Sequence, residues 1–207
     1  MAEIEYFYSS YSAYAYLGSA RFMEIARAAG RRIVHRPVNL RPVVAQSGSL
    51  AFGKRAPTQL AYYFGREVER WAEHRGIAVM NRRPTHHDND TNLCDGMIIA
   101  GLRVGLDMDA LAHAILAAHW CDDADFADRQ TLADLGRGVG LDPEPLLDAA
   151  LSPDVQAVYE ANSKEAVERS VLGSPTYFVD GDMFYGQDHL EMVERACVKP
   201  YANTWGK

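Results

Sequence analysis

Cysteine is scarce in this chain. Cys94, Cys121 and Cys197 are the only three among 207 residues, widely separated and odd in number. No C-x-x-C pair occurs, which excludes the usual dithiol mechanism and gives no support to a disulfide framework or a zinc ribbon. Basic residues are also short, with 21 Lys and Arg against 28 Asp and Glu and a formal net charge of −7. A broad basic face for duplex nucleic acid is therefore not expected, although a local basic pocket for a small anion is compatible with this balance. No apolar run approaches the roughly 20 residues that cross a bilayer. The opening Met-Ala-Glu-Ile-Glu-Tyr carries acid where a secretory leader carries base. A cytoplasmic protein with reduced thiols, binding neither nucleic acid nor membrane, is expected. Internal repeats and low-complexity tracts are missing too.

What is present is ordinary globular material, 48% hydrophobic and 24% charged, enough to build a substantial core. Residues 4–8 are β-branched and aromatic and read as a strand. From Tyr14 the apolar residues Leu17, Phe22, Ile25, Ala26 and Ala29 fall at helical spacing, and Gly30 closes that helix. Residues 32–38 read as a second strand, so the chain opens β-α-β. Residues 41–57 read as a Gly/Ser/Pro-containing loop. Helical patterns then follow, with Leu60, Phe64, Val68, Trp71 and Ala72 on the first face, up to a longer helix over 154–170. After Gly173 come two short strands around Asp180-Gly181, a strong hairpin signal, and a last helix over 188–196. The order β-α-β, helical block, β-β-α predicts an α/β fold. Its outer parts form a thioredoxin-like sheet (1–56 and 171–207), and a large all-helical insertion occupies 57–170.

Three short motifs carry candidate chemistry. Ser10-Tyr11-Ser12-Ala13-Tyr14 lies between a strand and a helix start, where unpaired N–H groups and the helix dipole favour an anion such as a thiolate. Read locally, Ser12 is equally well a plain N-cap. Gly173-Ser174-Pro175-Thr176 precedes a strand. A cis proline there would present the backbone of Ser174 to a ligand, while a trans strand-start proline is the commoner case. Gly186-Gln187-Asp188 joins a strand end to a helix start. It suits the ammonium and carboxylate end of an amino-acid-like ligand, or it is a helix start with an acid near its cap.

Taken together, these motifs resemble the 2-hydroxychromene-2-carboxylate isomerase family, which is close to the kappa-class glutathione transferases and more distantly related to the disulfide-bond oxidoreductases. The resemblance covers essentially the whole chain, through Tyr14-Ala15-Tyr16-Leu17-Gly18, Glu69-Arg70-Trp71-Ala72, His119-Trp120 and above all residues 171–188. It implies glutathione as cofactor. Ser12 would be the catalytic residue facing the glutathione sulfur, Ser174 and Pro175 would clamp the cysteinyl part, and Gln187 and Asp188 would hold the γ-glutamyl end. It also implies a small aromatic-acid substrate and a homodimer. The chain departs from the family at Ala13, where Pro is usual, and at Ser174, where Val is usual. It departs again at Leu60, where Lys is common, and at Gln46-Ser47-Gly48-Ser49, which replaces an Asn-containing loop. The last two positions are expected to border the second-substrate pocket.

Tyr11 and Tyr14 are candidates for an aromatic wall, and Arg41, Arg82, Arg83 or His86 for the partner of a substrate carboxylate. His86-His87-Asp88-Asn89-Asp90 matches no metal-ligand spacing, and no metal is expected. His119-Trp120 reads as packing and Cys94 and Cys121 as buried thiols. The implied activity is a glutathione-dependent cis–trans isomerisation. A kappa-like glutathione transferase and a non-catalytic thioredoxin-fold binding module are the alternatives, and Gln187-Asp188 argues against an inert module.

Overall fold

Alternation along one strand decides the middle of the molecule. In β1 (Glu3–Tyr8) the side chains of Ile4, Tyr6 and Tyr8 enter the main core, while Phe7 enters a second cluster on the opposite face. Both faces of β1 are thus covered, as a central strand requires. The computed structural model describes residues 2–48, 52–202 and 204. Its sheet has the order β2-β1-β3-β4: β2 (Arg32–Pro37) runs parallel to β1, β3 (Thr176–Val179) antiparallel to β1, and β4 (Asp182–Tyr185) antiparallel to β3. Tyr6 pairs with Tyr177 across β1 and β3, and their rings stack at 5.4 Å. The β3–β4 turn is Asp180-Gly181, both at positive φ, as a two-residue hairpin needs.

The β1–β2 crossover is α1 (Ala13–Ala28), capped by Ser12 at its start and followed by Gly30 at φ 62°. The stretch read as a loop after β2 contains a seven-residue helix, α2 (Leu40–Gln46), whose Leu40, Val43 and Val44 are buried. The single helix expected next is broken. α3 (Pro57–Ala61) passes through a π-helical turn (Tyr62–Arg66) into α4 (Glu67–Arg75). A π turn re-aims the residues within it and is frequent at functional sites.

Five more helices follow: α5 (Asn92–Arg103), α6 (Asp109–Cys121), α7 (Arg129–Gly138), α8 (Pro143–Ala150) and α9 (Pro153–Glu168). They do not form a separate body. α5 and α9 pack on β2, α6 packs on α1, and one hydrophobic cluster joins Ile4, Tyr6 and Tyr177 of the sheet to Leu111, Ile115 and Leu132 of the helices. α10 (Leu190–Val198) closes the fold against α1 and β3. Among the described residues no helix is long and apolar enough to cross a membrane.

Candidate active site

The C-terminal end of β1 runs straight into the start of α1, and the start of β3 lies beside both. Ser12 is the N-cap of α1. Its Oγ accepts from the Ala15 N–H at 3.2 Å and donates to the Ser174 carbonyl at 3.2 Å. The Ser174–Pro175 peptide bond is cis, and Ser174 Oγ accepts from the Ser9 N–H at 3.2 Å. Ser12 and Ser174 are both buried residues, and both line one cavity of about 980 Å³. The Ala13 and Tyr14 N–H groups open α1 and have no intrahelical acceptor, so the positive end of the helix faces the same place.

Gln187 lies elsewhere on that cavity wall. It is 1% exposed and is the first residue of a short 3-10 turn (Gln187–His189). Arg75, at the end of α4, donates through Nε and Nη2 to Gln187 Oε1 at 3.1 and 2.9 Å, and through Nη2 to the Gln187 carbonyl at 3.0 Å. This fixes the amide with its oxygen on Arg75 and leaves Nε2 buried without an acceptor. α1 comes close enough to make this fit only because residue 18 is glycine, since a Cβ there would stand 2.6 Å from Gln187 Cβ. Asp188 also lines the cavity and is exposed.

A different part of the wall is aromatic and cationic. The rings of Tyr11, Tyr14, Tyr63, Phe64, Trp71 and Trp120 line it. Tyr14 spends its hydroxyl on the Tyr63 carbonyl at 2.5 Å, which ties the π turn to α1. The Tyr11 hydroxyl is buried and has no acceptor. Burial is the main cause that pushes its pKa up to about 12, so it stays a donor at neutral pH. Arg41 and Arg83 both donate to Asp88 Oδ1, at 2.8 and 2.7 Å. Two guanidinium groups on one carboxylate leave a positive excess at this wall, and Arg41 also lies 5.7 Å from the Tyr11 ring centroid.

Ser12, Ser174, Gln187, Asp188, Tyr11, Tyr14, Arg41 and Arg83 are therefore brought to one cavity. Pro175 stands behind Ser174 and is not in the wall. Arg82 and His86 are not in it either. Arg82 is drawn to Asp123 at 2.7 Å, and His86 Nδ1 lies 3.3 Å from Asp125. Of the two adjacent loop histidines it is His87 that lines the cavity, together with the distant His189. Sequence could not choose between adjacent histidines in a loop with no periodicity. Leu60 lines the cavity as expected, but Gln46, Ser47 and Gly48 do not, and Ser49 lies outside the described residues. The cavity side of α2 is Leu40, Arg41 and Val44 instead. Arg75 carried no signal in the sequence, because its role depends on α4 meeting the 3-10 turn over 112 positions of separation.

A sheet of this order, with the start of α1 beside a cis proline, defines a thioredoxin-fold protein. Residues 3–198 match the DSBA-like thioredoxin domain, and the chain belongs to that family. Its relatives include the 2-hydroxychromene-2-carboxylate isomerase of Sphingobium xenophagum, 25% identical over 193 residues that make up 92% of this chain and 95% of that protein. The protein of the same name from Pseudomonas putida is 24% identical over 194 residues, 93% of each. Among solved structures, a 2-hydroxychromene-2-carboxylate isomerase superposes with TM-score 0.76 at 23% identity, over 94% of this chain and 93% of that one. The cytosolic disulfide reductase DsbM from Pseudomonas aeruginosa with GSH superposes with TM-score 0.64 at 17% identity, over 96% and 93%. The two superpositions show the shared fold.

Proposed function

We propose that this chain is a glutathione-dependent isomerase of 2-hydroxychromene-2-carboxylate or a similar aromatic catabolite. The relatives that match nearly the whole chain bear that isomerase name. The observation that carries the glutathione reading is Gln187 Nε2, a buried donor on the cavity wall with no acceptor. Leaving such a group unmade costs about 1–3 kcal/mol, a cost that a bound carboxylate would remove. The γ-glutamyl end of glutathione offers that carboxylate, and the ammonium beside it suits Asp188.

The remaining wall fits the rest of the tripeptide. The Ser174 carbonyl would accept from the cysteinyl N–H. It now accepts from Ser12, so this exchange would free the Ser12 proton to turn toward the sulfur. With that proton and the start of α1 on one side, the thiol is held as thiolate. Glutathione supplies a thiolate that adds reversibly to a conjugated double bond and makes it rotatable. Arg41 and Arg83 would take the substrate carboxylate, and Tyr11, Trp120 and the π-turn aromatics would hold its ring. Fixing both reactants in one cavity is worth a large share of the acceleration. Calorimetry tests the reading. Glutathione should bind, and cysteinylglycine, which lacks the γ-glutamyl end, should bind far more weakly. Equal affinities, or no binding of either, would overturn it.

A further inference from the structure

His87 belongs to none of the groups used so far, yet it lines the cavity between Tyr11 and Trp120. Its Nδ1 lies 3.0 Å from Nε2 of His119, and the two rings stack at 5.3 Å. His119 is fully buried, and its Nδ1 lies 3.3 Å from the Ala124 carbonyl. A carbonyl oxygen only accepts, so His119 Nδ1 carries the proton. A neutral His119 then has a lone pair on Nε2, and His87 Nδ1 must be the donor to it. A neutral His87 accordingly has a bare Nε2, the only polar atom its ring can offer the cavity. No partner for it exists among the described residues.

Both rings stay neutral for the same first cause. Burial pulls His87 down to about 3 and His119 down to about 4, and the neighbouring Arg83 and Arg41 push further against charge on His87. The groups facing the pair are Tyr11 from the loop before α1, Arg41 from α2, Arg83, His86 and Asp88 from the same loop, and Asp123 and Asp125 beyond α6. The two cations lie on the cavity side, where a positive ligand group would be repelled. A bare nitrogen beside an Arg41–Arg83 anion site is suited to a ligand that has a neutral hydroxyl next to a carboxylate.

We infer that His87 recognises the substrate's hydroxyl: its Nε2, turned lone pair outward by the His119–Ala124 chain, accepts the O–H on the carbon that bears the carboxylate held by Arg41 and Arg83. This rests on the aromatic-acid reading above and adds to it a specificity-determining residue.

The test uses the whole protein and three stable probes: 2-hydroxy-2-phenylpropanoate, 2-phenylpropanoate, and the corresponding 2-amino acid. Wild type should bind the hydroxy acid about tenfold more tightly than the deoxy acid and should disfavour the amino acid. His87→Leu should reduce the hydroxy-over-deoxy preference to about onefold, leaving deoxy-acid affinity unchanged. His87→Gln, which keeps an acceptor near Nε2, should retain most of the preference. Nitrogen NMR of wild type should find the His87 proton on Nδ1 from about pH 5 to about pH 8, a reading that no folding defect in a variant affects. A proton on Nε2, a preference that survives in His87→Leu, or equal binding of hydroxy and deoxy acids by wild type would overturn this inference alone. Binding of none of the probes would overturn the aromatic-acid reading and this inference with it.

Discussion

Ser12→Ala separates the two things one hydroxyl does. The Ser12 Oγ accepts from the Ala15 N–H and donates to the Ser174 carbonyl. Alanine removes the cap and leaves the Ala15 N–H without its acceptor, a loss of about 1 kcal/mol. For a chain of this size that lowers Tm by about 2–4 °C. If this were the whole role, the chemistry at the cavity would be unchanged. With glutathione bound, the same hydroxyl would take a second task, donation to the sulfur. A hydrogen bond to a charged acceptor is worth about 1.5–3 kcal/mol, which is about one to two pKa units on the bound thiol. The sign is fixed: losing a donor to the thiolate raises the thiol pKa, so at neutral pH thiolate and turnover fall together. Glutathione affinity should change little, since we propose that Gln187 and Asp188 hold its other end. The assay is ultraviolet absorbance of the bound thiolate against pH, beside thermal melts of both proteins. Overlapping titration curves with a lowered Tm would reduce Ser12 to a cap with no part in holding the thiolate.

Further expectations concern the parts around it. Arg75→Met frees the Gln187 amide to turn, and calorimetry should show glutathione bound about tenfold more weakly. Gly18→Ala forces apart α1 and Gln187, which now meet where a Cβ would be 2.6 Å away. A loss of about 1–3 kcal/mol in denaturant unfolding, together with weaker glutathione binding, is expected. Asp95 is fully buried, accepts from Ser10 Oγ at 2.5 Å, and is pushed up to about 7 chiefly by burial. An acid whose pKa is raised on folding stabilises the fold below its unfolded value near 4 and loses that contribution as pH rises toward 7. Asp95→Asn should flatten this slope, and an unchanged slope would remove Asp95 as its source. Insulin disulfide reduction by the wild type should stay at background, because Ser12-Ala13-Tyr14-Ala15 contains no thiol.

The sheet was legible in the sequence because its signals are local. Alternation at Ile4, Tyr6 and Tyr8 and the Asp180-Gly181 turn each depend on a few adjacent residues. α2 was not legible, since Pro42 and the following Ser47-Gly48 mask a helix of only two turns that exists because Val43 and Val44 are buried. The π turn was missed for a related reason: a 3.6-residue period drawn through Leu60, Phe64 and Val68 is indifferent to one inserted residue. In the site, the ends of strands and starts of helices pointed to Ser12, Ser174 and Gln187. Arg75, His87 and His119 acquire roles only through contacts between distant segments, and His119-Trp120 read as plain packing. Trp120 does pack, yet its Nε1–H also holds the Tyr11 carbonyl at 3.1 Å, which fixes the residue next to Ser12.

We propose that this cavity isomerises an aromatic hydroxy acid with glutathione. Absorbance-monitored conversion of 2-hydroxychromene-2-carboxylate by purified protein, with and without glutathione, tests it most directly. Rapid approach to equilibrium is expected with glutathione present, and a background rate without it that recovers on adding glutathione back. Equal rates in both conditions, or no conversion in either, would contradict it.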